Sequence, residues 1–358
     1  MTSTWPIYNF LVIGYYVSTM VSSKVKIGLV GAGHVAQVAH LPAYRLNANV
    51  ELVAVVDDDP VKAQRIHQQY GFRDWYEDIT EMLNHADLDA VDICTPNYLH
   101  APMAIAALRS GRHVLCEKPL ARDLAEASKM VETAQKHNRV LMVAMNNRFR
   151  KDVGVLHRFV KGKELGNVHF VKAGWLRNAR GWEARQWFTE RNKAGGGALL
   201  DLGTPLMDLA IWVAGMRRPT GVTCSIFGKK GRGAVEDSAC ALVRFAGGGA
   251  LMLEVSWNLR EPRTNTYLHV YGDKGAGMLN PLQVHKVIHD VLVNVTPAIE
   301  GSGHHYFTES YRHEIDHFVE CVQKKKKPLT SGRDALGVMR IVDAMYESAA
   351  TGGEVTLD

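Results

Sequence analysis

The chain has 358 residues, 46% of them apolar, with 42 Lys and Arg against 37 Asp and Glu for a formal charge of +5. That length is too great for one ordinary domain and suits two, and the apolar fraction excludes a disordered chain. The small positive charge is dispersed. The one dense basic run, Lys324–Lys327 before Pro328, has no aromatic residues between its lysines and reads as a solvated helix end rather than a nucleic-acid surface. The five cysteines, Cys94, Cys116, Cys224, Cys240 and Cys321, form an odd set without a C-x-x-C pair. This argues against a disulfide framework or a structural metal site and for a reducing, cytoplasmic setting. Cys94 and Cys116 fall within strands and read as small buried hydrophobes.

Residues 5–20 are apolar and aromatic, yet too few for a comfortable membrane span and without the positive start of a signal peptide. Residues 1–21 are expected to be an N-terminal extension, with Met20 as an alternative start. The first strand is Val25–Val30, and Leu52–Val56 is the second, ending in Asp57-Asp58-Asp59-Pro60. Between them stands Gly31-Ala32-Gly33-His34-Val35-Ala36, followed by a helix-like stretch. A G-x-G-x-x-A run between two strands, with an acid at the tip of the second, is a dinucleotide-binding pattern. Gly31 permits the tight turn, Gly33 lets the backbone approach a pyrophosphate, and Ala36 lets helix and strand pack closely. His34 and Val35 complete the loop, whose free N–H groups favour phosphate. Asp57 is placed to accept from an adenosine ribose and to repel a 2′-phosphate, so NAD is expected over NADP.

A helix is expected over Asp59–Tyr70, a short strand at Trp75-Tyr76 and a helix near Thr80–Leu83. Ala90–Cys94 is a strand ending at Thr95-Pro96-Asn97. Ala101–Leu108 is helical, and His113–Cys116 is a strand ending at Glu117-Lys118-Pro119. Leu124–His137 is a helix and Val140–Ala144 a sixth strand, followed by Asn146-Asn147-Arg148. Strands alternating with helices predict a doubly wound parallel sheet, with ligands beyond the strands' carboxyl ends. The second half changes character. Strands are expected over Val168–Trp175, Gly221–Phe227, Ala239–Phe245, Ala250–Trp257, Thr266–Tyr271 and Val284–Ile288, with glycine-rich turns between several of them. This is an open, mainly antiparallel sheet. Helices are expected after Gly203, near Tyr311–Val322 and over Asp334–Ala349. Thr204-Pro205 reads as a helix start, with threonine as N-cap. The expected units are residues 22–147, which bind the dinucleotide, and 148–358, which serve substrate binding and oligomerisation, with the last helices able to pack back on the first unit.

From about Lys24 onward the chain resembles the glucose-fructose oxidoreductase / inositol dehydrogenase / MocA (Gfo/Idh/MocA) superfamily. The resemblance rests on the glycine loop, Cys94-Thr95-Pro96-Asn97-Tyr98-Leu99-His100, Glu117-Lys118-Pro119, Asn146-Asn147-Arg148-Phe149, Gly195–Gly203 and the C-terminal helices. It implies a Rossmann domain joined to an open-sheet domain, and hydride transfer between a nicotinamide cofactor and a sugar or polyol. Lys118, at a strand tip near the nicotinamide, is expected to bind the substrate oxygen and move its proton, and Pro119 is a candidate for a cis bond. Gly31, Gly33, His34, Val35, Ala36, Asp57, Thr95, Pro96, Asn97, His100, Glu117 and Asn146 are expected around NAD. Lys118, Arg148, Asp201 and Pro205 are expected around the substrate, with Lys118 and Asp201 catalytic and no metal involved. For Asn97 and His100, capping is an equal reading, and for Arg148 a structural ion pair is the commoner one.

One departure matters. The family's dehydrogenases usually carry Asp-x-x-x-His after the triple glycine. Here Asp201 matches and Pro205 stands at the His position. Lys118 alone, Lys118 with Asp201, or a histidine from elsewhere (His169, His304 or His305) would then have to handle the proton. Two further readings stay open: an NAD-dependent redox-elimination enzyme, and an NAD-binding sensor without turnover. A small-molecule substrate and a homodimer or homotetramer through the C-terminal sheet are expected, with no nucleic-acid or membrane partner.

Overall fold

Short β-branched runs cannot stay buried on both faces unless helices cover them, and the first half of the chain alternates accordingly. The computed structural model describes residues 23–178, 186–216, 218–228, 234–299 and 303–357. The expectation of an extension over residues 1–21 lies outside these. The strands β1 (Val25–Val30), β2 (Val50–Val56), β3 (Asp74–Tyr76), β4 (Ala90–Ile93), β5 (His113–Glu117) and β6 (Leu141–Ala144) form one parallel sheet in the order β3-β2-β1-β4-β5-β6. The helices between them are α1 (Leu41–Leu46), α2 (Pro60–Tyr70), α3 (Ile79–His85), α4 (Asn97–Arg109) and α5 (Leu124–Lys136). Local chemistry starts these helices. The Asp59 carboxylate accepts from the Lys62 N–H at 3.1 Å, and that of Asp123 from the Glu126 N–H at 2.8 Å. The strand order reverses between β1 and β4, which opens a crevice beyond their carboxyl ends.

The second half begins with α6 (Lys151–Lys161), β7 (Val168–Asn178), α7 (Arg191–Ala194) and α8 (Thr204–Ala214). The strands β8 (Pro219–Phe227), β9 (Ser238–Phe245), β10 (Ala250–Leu259), β11 (Asn265–Gly272), β12 (Gly275–Leu279), β13 (Gln283–Ile288) and β14 (Val291–Asn294) follow. The chain ends with α9 (Gly303–Lys324), α10 (Gly332–Thr351) and β15 (Val355–Thr356). The second sheet runs β14-β13-β12-β11-β7-β10-β9-β8-β15, antiparallel except for the β7–β10 pair. The helix α9 returns to the first sheet, where Ile315, Phe318 and Val319 pack on Val25, Ile27, Leu115 and Met142. The helical run Arg191–Ala214 is long and apolar enough by composition to cross a membrane, but 89% of its apolar window is buried as core.

Three boundaries differ from the sequence reading. α4 starts at Asn97 and carries Pro102 in its interior, and α9 starts at Gly303. Thr204 is not an N-cap: its φ of −57° and ψ of −56° are helical, and a π-helical turn, Leu199–Gly203, runs straight into α8. The true start lies at the triple glycine, where Glu236 from the approach to β9 accepts from the Gly197 and Leu199 N–H groups at 2.9 and 3.0 Å. A side chain on Gly197 would overlap the Glu236 carbonyl oxygen.

Arg148 corrects a second expectation. It is buried in the 3₁₀ turn Asn146–Phe149, where Nε donates to Asp208 of α8 at 2.7 Å and Nη1 to the Leu329 carbonyl at 2.9 Å. It joins three segments and is not a substrate anchor. Burial pushes the Asp208 carboxyl up, against the pull of Arg148. Arg148→Ala would leave that carboxylate unpaired, so thermal or urea unfolding should report a loss of about 3–5 kcal/mol. A loss below about 1 kcal/mol would contradict this account.

Candidate active site

The strand tips converge as a doubly wound sheet requires. A crevice of about 810 Å³ is lined by Gly31, Gly33, His34, Val35, Asp57, Thr95, Pro96, Asn97, Glu117, Lys118 and Asp201. The loop fits a dinucleotide. Gly31 has φ +88°, and a Cβ there would lie 2.9 Å from the Cys94 backbone. A Cβ on Gly33 would meet no protein atom, which leaves room for a pyrophosphate. Ala36 is buried behind the loop rather than in the crevice, and opens a π-helical turn, Ala36–His40.

At the tip of β2, Asp57 Oδ2 accepts from the Ala32 N–H at 2.9 Å. Its Oδ1 accepts from the Asp59 N–H at 3.0 Å and from Lys62 Nζ at 2.7 Å. The carboxylate expected to face a ribose therefore also ties down the glycine loop. Lys62, which also lines the crevice, was not singled out by the sequence reading. Its amine is a latent partner for a phosphate, neutralised by Asp57.

Lys118 stands at the tip of β5, on the other side of β1 from Asp57. Its Nζ donates to Asp201 Oδ1 at 2.6 Å and to the Asp201 carbonyl oxygen at 3.2 Å. Trp257 Nε1 donates to Asp201 Oδ2 at 3.0 Å, and Arg177 Nη1 lies 3.6 Å from the same oxygen. Burial alone would push the Asp201 carboxyl up, but Lys118, Arg177 and the Trp257 hydrogen bond hold it below its usual value. Pro205 has no N–H to offer the Asp201 carbonyl four residues back, and the lysine amine takes that acceptor. The peptide bond between Lys118 and Pro119 is cis.

Several expected site residues stand elsewhere. His100 is buried. Its Nδ1 is 2.8 Å from the Pro119 carbonyl oxygen and its Nε2 2.9 Å from that of Thr95, so the ring ties two strand-tip loops together behind the crevice. Burial lowers its pKa despite those carbonyls. Asn97 lines the crevice, but its amide donates to the Ala194 carbonyl at 2.8 Å. Asn146 donates to Ser310 Oγ at 3.0 Å and lines a different cavity. Pro205 is buried in the helix and lines neither cavity. His169 is exposed on β7 and cannot replace the absent imidazole, while the side chains of His304 and His305 lie outside the described residues. Trp187, Phe188 and Arg177 also line the crevice, and no local motif announced them.

The second cavity, about 830 Å³, adjoins the first. Trp175, Tyr267, Tyr306 and Phe307 give it aromatic walls, and Asn146 and Arg150 give it polar ones. Two contacts join the two linings. The Arg177 guanidinium lies 5.3 Å from the centre of the Trp175 ring, and Phe307 packs edge-on against Tyr311 at 5.0 Å.

A family model described as the oxidoreductase family's NAD-binding Rossmann fold matches residues 25–145, and its companion, the family's C-terminal alpha/beta domain, matches residues 158–357. The chain is 31% identical to D-glucoside 3-dehydrogenase of Escherichia coli (strain K12), over 95% of this chain and 99% of that one. It is 28% identical to inositol 2-dehydrogenase of Rhizobium meliloti (strain 1021), over 93% and 99%. A solved structure of levoglucosan dehydrogenase in complex with NADH superposes with a TM-score of 0.84 at 25% identity, covering 94% of this chain and all (100%) of that one.

Two predictions follow from this geometry. Asp57→Ala removes the repulsion of a 2′-phosphate and frees Lys62 to meet it. The NAD-over-NADP preference should shrink by about tenfold or more, read from Kd values for both cofactors. An unchanged ratio would remove Asp57 from cofactor choice. The second concerns Glu314 of α9, which is fully buried with neither carboxyl oxygen hydrogen-bonded to a described residue. Burial holds its pKa well above the carboxylate range. The folded state thus keeps a proton that the unfolded chain releases, and stability falls as pH rises above about 4.5. Glu314→Gln should flatten the fall in Tm between about pH 5 and 8. A slope identical to wild type would place the ionised acid in the folded state.

Proposed function

Starting from a chain that belongs to the Gfo/Idh/MocA oxidoreductase family and binds NAD, we propose that it oxidises a secondary hydroxyl of a sugar or glycoside. The Lys118–Asp201 pair at the far end of the crevice from Asp57 carries this reading. When bound, NAD supplies the hydride acceptor. The chain's own residues do the rest. Lys118 Nζ, once it has released one ammonium proton to solvent, binds the hydroxyl oxygen and takes its proton, Asp201 holds the ammonium so re-formed, and Trp257 and Arg177 hold Asp201. Trp187 and Phe188 shield the reacting atoms from water. With Pro205 at the family's histidine position, Lys118 and Asp201 handle the proton without an imidazole one turn along the helix.

The adjoining aromatic cavity supports a substrate larger than one ring, with the oxidised sugar at Lys118 and its substituent against Phe307 and Trp175. A homo-oligomer through the second sheet belongs to the same proposal, supported by Phe227 and Met252, which are 56% and 43% exposed on its strands. So does a reducing, cytoplasmic setting, supported by five free thiols. Pro205 also favours a second reading, an NAD-binding sensor, and the absence of turnover on every sugar tested would select it.

Lys118→Ala should lower turnover by roughly 10²-fold or more while NAD affinity changes little. Near-normal turnover would remove Lys118 from the chemistry. Phe307, 41% exposed at the cavity wall, offers a test of substrate size. Phe307→Ala should lower kcat/KM for an aryl glucoside by about tenfold and leave that for free glucose unchanged. Equal losses on both substrates would show that the cavity does not hold the substituent.

A further inference from the structure

Behind the reactive lysine lies a buried group that the proposed reaction does not use. His40 closes the π-helical turn that follows the phosphate loop, and its ring is fully buried. Its Nδ1 is 2.7 Å from Asp92 Oδ2, and its Nε2 is 3.1 Å from Glu117 Oε1. Both carboxylates are themselves buried. A neutral imidazole carries one N–H, so it would leave one of these buried acceptors facing a ring lone pair. The contacts are satisfied by an imidazolium that donates to both.

The other groups around the ring fit that state. Tyr44 of α1, Cys94 after β4, and Tyr311 and Glu314 of α9 interact with this buried cluster, and none brings a positive charge. Tyr311 is a tilted ring neighbour at 5.5 Å. Burial pushes the Cys94 thiol up to about 12 and the Glu314 acid well above its usual range, so both keep their protons. Burial works against a charged His40, but the Asp92 carboxylate against Nδ1 more than offsets it, and the ring titrates well above its ordinary value. The other Glu117 oxygen, Oε2, accepts from the Lys118 backbone N–H at 2.9 Å.

We propose that His40 is a positioning residue for Lys118: by bridging Asp92 and Glu117 it fixes the carboxylate that fixes the lysine's backbone, and so aims the amine at Asp201. The chain of contacts runs from the turn behind the pyrophosphate loop to the reactive nitrogen and touches no substrate. It rests on the reading of Lys118 as the proton-transfer residue.

The test uses the NAD-loaded protein. His40→Gln should lower kcat by about tenfold or more, while the NAD Kd and the sugar KM change by less than about twofold. Two double variants then separate positioning from packing. His40→Gln with Glu117→Gln and His40→Gln with Asp92→Asn each remove one buried carboxylate left without its cation, so both should recover Tm. Only the first restores a neutral amide that can hold the Lys118 N–H, so only it should recover kcat. Equal recovery of kcat in both, or an unchanged kcat in His40→Gln, overturns the proposal. If His40→Gln does not fold, Glu117→Asp in the native background replaces it. The shorter carboxylate cannot span from His40 to the Lys118 N–H, and wild-type kcat in that variant overturns the proposal.

The ligand atoms of His40, Asp92 and Cys94 lie within 4.8 Å of one another, so purified protein should also be assayed for metal. Stoichiometric zinc would make the cluster a metal site and overturn the proposal. If the wild type oxidises no sugar, the functional reading fails. The positioning role is then read from acetylation of Lys118 by acetic anhydride, which should speed up about threefold or more in His40→Gln as the amine is released. An unchanged rate overturns it.

Discussion

Everything at this site depends on one contact across two sheets. The Lys118 amine, at the tip of a strand in the parallel sheet, lies 2.6 Å from the Asp201 carboxylate, on a helix that belongs to the antiparallel one. A partly buried ion pair contributes little net stability, because desolvation offsets much of its attraction. The surrounding structure must therefore hold it in place. On one side stand His40 and Glu117. On the other stand the Trp257 indole, the Arg177 guanidinium and the helix start that Glu236 caps. Arg148 on Asp208 ties the same helix to the turn after β6 about two turns further along. Apart from the half-buried Arg177, each of these is a buried polar group whose partner lies far away in sequence, so the site and the domain junction are built from the same contacts.

Pro205 changes the local chemistry twice. It removes the imidazole that the resemblance leads one to expect, and it withholds a backbone N–H from the Asp201 carbonyl. The lysine then finds two acceptors on one residue, the carboxylate and the carbonyl. A π-helical turn over Leu199–Gly203 places both on the crevice side. Such turns often sit at functional sites because they let a helix present a backbone group without breaking. The second π-helical turn, Ala36–His40, stands behind the phosphate loop, and its last residue reaches Glu117.

The tip of β2 carries an opposed pair rather than one acid. Asp57 binds Lys62 and the Ala32 N–H, so the acid expected to face a ribose diol also fixes the glycine loop. A substitution there acts on affinity and on selectivity together. The linings of the crevice and of the aromatic cavity beside it are joined by side chains, Arg177 over Trp175 and Phe307 against Tyr311. The join is therefore made of groups that change with rotamers rather than with the fold.

The sequence by itself determined the strands of the first sheet and six of the nine described in the second, the alternation that makes the first sheet parallel, and the loop and strand tips that form the crevice. These are local properties: β-branched runs, capping aspartates before helices, and a glycine that must adopt φ +88° at position 31. Gly31, Gly33, Asp57, Thr95 and Lys118 were legible because the carboxyl ends of a parallel sheet meet by topology alone, whereas Asp201 was legible only through the family resemblance. What only the tertiary structure decided was which polar side chains face the crevice and which face one another. His100 and Arg148 carry the same residue types as binding groups, yet one holds two carbonyls and the other a buried carboxylate. Thr204 has the composition of an N-cap, yet Glu236, more than thirty residues later, takes that role. His40 and Trp257 gave no local signal, because their partners lie 52 and 56 residues away. A buried hydrogen bond is satisfied by whatever the fold brings within about 3 Å, and the order of residues along the chain does not encode that distance.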